Sequence, residues 1–271
     1  MIRMSSKIIF THINYQDNVG DFNCSPFDYY KFPFGIELVH FPYFRDAING
    51  VSHQYLLSYT NRIIIIGGGG LISHKNDTNV HKVIKHLIEN NKVILWGVGS
   101  NTPLEIDWSI LNHKNVLLAG IRDRIHGLNA EYLPCVSCKH SLFDKNSTIT
   151  KGLGILNHKD YSIDIEGDKL DNSKDLEKII NFISSKDSII SSSYHGVYWS
   201  QLLNKKVLYY NNQNPNSKFI NLKHGVNVCN SKNYKKLLEI SSKSVGLLKE
   251  SRYLNDIFYT KVVDIIQNLQ Q

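Results

Sequence analysis

Apolar residues fall along this chain in two alternating rhythms. Short continuous runs, rich in β-branched residues, recur at 7–13, 36–40, 62–66, 92–96, 116–119, 188–191 and 206–210. A run without polar alternation suits a strand buried on both faces, as in a parallel sheet. Between the runs the spacing turns helical. Val80, Val83, Ile84, Leu87 and Ile88 fall at i, i+3, i+4, i+7 and i+8, behind Asn76 or Asp77 as an N-cap. Leu176, Ile179, Ile180 and Ile183 repeat the spacing behind Ser173. Near the C-terminus, Leu254, Ile257, Phe258, Val262, Ile265, Ile266 and Leu269 share one face, which predicts a long amphipathic helix packed on the core.

Strands alternating with helices predict an α/β fold with parallel sheets. The strands cluster in 7–119 and again in 187–229, which predicts two sheets. Between them, 139–171 is polar and punctuated by Gly152, Gly154 and Gly167, and reads as a crossing between lobes. The expected division is 1–145 and 146–271, with the last helix packing back on the first lobe.

Composition narrows the class. At roughly 100–200 residues per domain, a length of 271 fits one large domain or two small ones. Hydrophobic residues at 42% and charged residues at 20% exclude a disordered chain. The longest nearly uncharged apolar stretch of the first half, 63–72, contains four glycines. It is too short for a bilayer, which takes about 20 residues. The N-terminal apolar run is too brief for a signal peptide. Cys24, Cys135, Cys138 and Cys229 are too few for a disulfide scaffold. A cytoplasmic location follows as the expectation. The net charge of +7 suits an anionic partner. The basic residues are scattered, however, and no nucleic-acid-binding signature is present.

Candidate chemistry sits where strands end. Asn18-Val19-Gly20-Asp21 follows the first strand, at the edge where doubly wound sheets bind ligands. Gly20 permits close approach there, and Asp21 is a candidate base. The strand 62–66 then runs into Gly67, Gly68, Gly69 and Gly70, expected to form a loop whose amides approach an anion or a sugar. No Gly-Lys-Ser/Thr follows, so this is not a P-loop. Trp96-Gly97-Val98-Gly99-Ser100 reads as another strand-to-glycine exit, and Arg122-Asp123 follows 116–119. A guanidinium is a planar fork for phosphate or carboxylate. Cys135 and Cys138 form a lone CxxC, with His126 and His140 nearby; buried thiols explain it better than zinc, which needs four organised ligands. Last, the apolar strand 188–191 enters Ser191-Ser192-Ser193-Tyr194-His195-Gly196 and a helix. A helix start offers free amides and a positive dipole end to an anion, and the serines add donors. His195 stands in the first turn.

Taken in order, NVGD, an apolar strand into GGGG, GVGS, RD and SSSYHG resemble the polysaccharide pyruvyl transferase family over roughly residues 8–210. That resemblance implies a glycosyltransferase-B-like architecture, with two Rossmann-like lobes facing a central cleft. It implies phosphoenolpyruvate as donor, used as a co-substrate without cofactor or metal. It implies a cell-surface glycan, lipid-linked for choice, as acceptor, and a pyruvate ketal as product. The roles that follow are His195 and Asp21 in acid–base catalysis. Arg122, Ser191, Ser192, Ser193 and Gly196 would hold the donor. Asn18, Gly20, Gly67, Gly68, Gly69, Gly70, Gly97 and Gly99 would line the acceptor side. A lipid-linked acceptor implies loose attachment at the inner membrane face.

One position departs from the family pattern. Many members carry arginine two residues before the motif histidine, where this chain has Ser193. Lys139, Lys205 and Lys218 are candidates to compensate. Two other readings stay open: a glycosyltransferase of the same architecture with a nucleotide-sugar donor, and a non-catalytic glycan-binding relative.

Overall fold

The computed structural model describes residues 8–13, 18–41, 54–72, 79–100, 106–125, 127–145, 151–172, 175–211 and 222–271. The protein is α/β, with two parallel sheets and helices against them, consistent with a Rossmann-like arrangement. The first sheet comprises β1 (Ile8–Ile13), β2 (Ile36–Phe41), β3 (Ile63–Ile66), β4 (Gly69–Ile72), β5 (Lys92–Ser100), β6 (Val116–Ile121) and β7 (Glu131–Tyr132), in the order 2-1-3-5-6-7 with β4 beside β5. The second comprises β8 (Leu153–Asn157), β9 (Asp168–Asp171), β10 (Ser188–Ser191), β11 (Lys206–Tyr210) and β12 (Asn227–Cys229), in the order 12-11-10-8-9. Helices α1 (Val19–Phe22), α2 (Gln54–Leu57), α3 (Asn79–Asn90), α4 (Leu176–Ser184), α5 (Tyr194–Leu202), α6 (Tyr234–Ile240) and α7 (Leu247–Gln270) connect or flank the strands.

The run Ile63–Ile66 shows why the apolar runs are unbroken. Ile64 and Ile66 join Val80, Val83, Ile84, Leu87 and Ile88 of α3 on one face of the sheet. Ile63 and Ile65 point the other way, into a cluster with Trp96 and with Phe258, Val262 and Ile266 of α7. Both faces are covered, so both sets of side chains are apolar. Helix α7 therefore begins beside the second sheet and ends packed on the first. Its buried stripe also holds Ser251 and Asn255, while Leu269, placed on the core face by spacing, is 45% exposed. Asn255 stays buried because its Oδ1 accepts from Trp96 Nε1 at 3.0 Å and its Nδ2 donates to the Pro134 carbonyl at 3.1 Å.

Three expectations change. The four glycines do not form a loop: after a bend at Gly67–Gly68 the chain re-enters the sheet as β4, with Gly69 opposite Val98 and Gly70 opposite Gly99. Strand β5 does not end at Trp96. Gly97 takes φ +66°, the register shifts between Trp96 and Val98, and the strand continues to Ser100. Only glycine adopts that backbone at no steric cost. The stretch 139–171 is not simply a crossing, since β8 and β9 lie in it. Gly154 is inside β8, where a Cβ would press on Phe182 and Ile189, and β9 is a polar edge strand. Helix α4 is capped by Asp175, whose Oδ1 accepts from Lys178 N at 2.8 Å. The expected caps Asn76, Asp77 and Ser173 lie outside the described residues. Among the described residues no helix is long and apolar enough to cross a membrane.

Candidate functional site

Each sheet has a point where the strand order reverses. β1 lies between β2 and β3, and β8 lies between β9 and β10. Such points open crevices at the carboxyl ends of the strands, where ligands bind in doubly wound folds. In this protein the two carboxyl edges meet. Asn18 caps α1, accepting from Gly20 N at 3.2 Å and donating to Asp21 Oδ2 at 2.8 Å. Asn172, one residue past β9, donates from Nδ2 to Asn18 Oδ1 at 3.3 Å, and its carbonyl accepts from Val19 N at 3.3 Å.

His195 belongs to this meeting. It is 5% exposed, between the rings of Tyr194 at 5.2 Å and Trp199 at 5.1 Å. Gly20 is glycine because of it: a Cβ there would collide with His195 Nδ1. Residues far apart in the chain thus come into contact, with Asp21 next in line.

Arg122 follows β6 and is 2% exposed. Its Cζ lies 4.0 Å from the centre of the Tyr194 ring, a cation–π contact, and Nη2 donates to the Ser100 carbonyl at 3.4 Å. Asp123 beside it accepts from Ser100 N at 3.0 Å. Gly99 leaves room for the pair, since a Cβ would collide with Arg122 Nε and Asp123 Oδ2. Burial, the strongest influence, pulls the Arg122 pKa down; Tyr194, Asp123, Asp21 and Cys135 together raise it above its ordinary value. The guanidinium is therefore charged, and it is held where the two edges touch.

The serines hold the backbone where β10 passes into α5. Ser191 Oγ donates to the Leu156 carbonyl at 2.8 Å and accepts from Ser193 N at 3.1 Å. Ser193 caps α5, its Oγ accepting from Gly196 N at 3.0 Å. Ser192 Oγ accepts from His158 N at 2.9 Å. All three hydroxyl oxygens bond backbone groups of the turn or of the end of β8, Ser191 as donor and acceptor, Ser192 and Ser193 as acceptors. The cause is burial: where a strand ends inside the protein, its amides and carbonyls need internal partners. Gly196 fits under Ser191 Oγ, which a Cβ would strike.

The glycines of the first sheet also pack against the protein itself. Gly67 faces Phe10 and His12, Gly68 faces Cys24, and Gly97 faces the Pro134 carbonyl. At these three positions the chain itself lies on the side where a Cβ would stand. Of the candidate cations, Lys139 pairs with Asp256 at 2.7 Å and Lys205 donates to the Ser184 carbonyl at 2.8 Å. Lys218 lies outside the described residues.

All four cysteines are free and buried. Burial raises the thiols of Cys24, Cys135 and Cys138, the last to about 12, so they are neutral at physiological pH. Cys135 is not remote from the chemistry, as a lone CxxC suggests. Its Sγ lies 3.4 Å from His195 Nε2. No spacing in the sequence signals that contact. His140 caps a short turn, accepting from Leu142 N at 3.2 Å, and His126 lies outside the described residues. Among the described residues no three His, Cys, Asp or Glu side chains are grouped to hold a metal ion.

A cavity of about 630 Å³ opens at the opposite, amino end of the first sheet, lined by Asn61, Arg62, Glu89, Asn91, Lys92 and Asn115 among others. Its residues Asn91 and Asn115 are bonded within the chain: Asn91 Oδ1 accepts from Arg62 N at 3.0 Å and Nδ2 donates to the Leu87 carbonyl at 3.0 Å, and Asn115 Nδ2 donates to the Ile88 carbonyl at 3.0 Å. It brings together no catalytic set.

No protein-family model matches the chain, and no curated protein does. Among solved structures, one similar chain is an uncharacterised protein of Klebsiella pneumoniae subsp. pneumoniae. The two are 15% identical with a TM-score of 0.49, over 78% of this chain and 85% of that one.

Proposed function

We propose that this protein is a pyruvyl transferase of glycosyltransferase-B-like architecture. It moves the pyruvyl carbons of phosphoenolpyruvate onto two hydroxyls of a cell-surface glycan or its lipid-linked precursor. The observation that carries the reading is the convergence of His195, Asp21 and a buried, charged Arg122 where the two carboxyl edges meet. The ordered motifs of the sequence support it independently.

The reaction needs an acid, a base and an anion holder. A proton goes to the methylene carbon of phosphoenolpyruvate, which makes the central carbon electrophilic. One sugar hydroxyl adds there and loses its proton. Phosphate leaves with its bonding electrons, and a second hydroxyl adds to the same carbon to close the ketal, its proton passing to the released phosphate. His195 serves as acid and Asp21 as base. Arg122 offers a planar fork to the donor carboxylate or phosphate. With Ser193 where many relatives carry the motif arginine, Arg122 bears more of the donor's charge than in relatives that keep both. A lipid-linked acceptor would bring a protein of net charge +7 to the inner face of the membrane by an electrostatic, salt-sensitive contact.

Release of inorganic phosphate tests the proposal. Phosphoenolpyruvate with a lipid-linked or free glycan acceptor should yield phosphate and a product heavier by the pyruvyl group. Release of nucleoside diphosphate from a nucleotide sugar would assign a glycosyltransferase instead. Glycan binding without turnover of either donor would assign a binding protein.

A further inference from the structure

We infer that Cys135 sets the tautomer of His195, holding the ring proton on Nδ1, the edge that faces Gly20 and the Asn18–Asp21 turn. The inference deepens the reading above: it concerns the resting, neutral ring of the histidine given the acid role there, which takes up a second proton before it acts as an acid.

It follows from a chain of hydrogen bonds whose direction is fixed at one end. The Trp199 indole can only donate, and its Nε1 donates to Ser137 Oγ at 3.0 Å. The Ser137 hydroxyl proton is thereby turned to its other neighbour, Cys135 Sγ, at 3.2 Å. Sulfur accepts that bond and offers its own proton onward to His195 Nε2 at 3.4 Å. Burial keeps the thiol protonated, so the donor is present. A nitrogen that accepts carries no proton in the neutral ring, which leaves the proton on Nδ1. The tautomer of a histidine is set by the bond at its other nitrogen.

Other contacts hold the pieces still. Tyr198 Oη donates to the Cys135 carbonyl at 2.9 Å, tying the segment to α5. The Trp199 ring packs on His195, and Gly20 lies beside the Nδ1 edge. Cys135 acts here through His195 and is a positioning residue. A neutral histidine side chain in water favours the Nε2–H form, so the thiol works against the ring's own preference.

Nitrogen NMR of protein labelled with 15N-histidine reads the tautomer without any substrate. His195→Gln assigns the resonances. Wild type should show Nε2 unprotonated and Nδ1 protonated. Cys135→Ser keeps a donor and should keep that pattern. Cys135→Ala removes it, and the tautomer ratio should move about fivefold or more toward Nε2–H, the equivalent of one hydrogen bond. Cys135→Val is a second donorless variant should the alanine protein fold poorly. A wild-type ring protonated on Nε2, or donorless variants with the wild-type pattern, would overturn the inference. If the tautomer behaves as stated while phosphoenolpyruvate is never turned over, the pyruvyl transferase reading falls and the tautomer inference stands.

Discussion

The two carboxyl edges that meet in this protein carry different kinds of chemistry. The first sheet ends in charge: Asp21 after β1, and Arg122 with Asp123 after β6. The second ends in hydroxyls, at Ser191, Ser192 and Ser193, all bonded to the backbone. From the first edge comes the electrostatics. From the second comes a fixed frame that delivers His195. In sequence both edges look alike, as apolar strands running into small polar residues. What separates them is where each backbone finds its hydrogen-bond partners.

That contrast predicts a ranking of effects. His195→Gln should be the most severe for activity. Removing the proposed acid should lower turnover by about 10²–10⁴-fold. Steady-state phosphate release should show that loss with the apparent affinity for phosphoenolpyruvate little changed. Arg122→Ala should follow, through binding. Losing one charged hydrogen-bonding contact costs about 1.5–3 kcal/mol, roughly ten- to a hundredfold in affinity. Calorimetry of phosphoenolpyruvate against both proteins checks it, and wild-type affinity in Arg122→Ala would place the donor elsewhere.

Ser193→Ala should act on the other side of the comparison. It removes the cap of α5, worth about 1 kcal/mol. The melting temperature should fall while donor affinity holds. If affinity fell tenfold with stability unchanged, the hydroxyl would be a ligand contact after all, and the contrast between the edges would fail.

Much of the framework was legible in the sequence. The strands at 188–191 and 206–210 occupy the positions that the apolar runs mark, and the face of α3 packs as its spacing requires. The misses share one cause: each depends on a partner distant in the chain. Gly69–Ile72 is a strand only because the outer half of β5 lies beside it. β9, Asp-Lys-Leu-Asp, has no apolar pattern because it is an edge with one neighbour. Gly20 and His195 were each marked by type and place, but their contact was not. A glycine in a polar turn signals freedom for a ligand as readily as room for an imidazole. Cys135 was marked only as half of a lone CxxC, because its contact with His195 is made only by the fold.

The smallest expected effect lies on the outside of the same junction. At the start of α7, Glu250 pairs with Lys223, and with His224 at 3.4 Å, on the chain that leads into β12. The hydrogen bond from Lys223 is the main cause that holds the Glu250 carboxyl below its ordinary pKa. A carboxylate with a depressed folded-state pKa stabilises the fold above its unfolded pKa. That contribution is lost as pH falls through the folded value. Glu250 is partly exposed, so screening keeps the gain under about 1 kcal/mol. Glu250→Gln should therefore lower the melting temperature slightly at neutral pH. The difference from wild type should shrink toward zero in acid, and at neutral pH in high salt. Donor affinity should not move, because this pair faces water while Arg122 is shut between the edges. A loss of affinity in Glu250→Gln as large as in Arg122→Ala would mean that charge anywhere along the junction governs binding, and the distinction between its buried and exposed ion contacts would collapse.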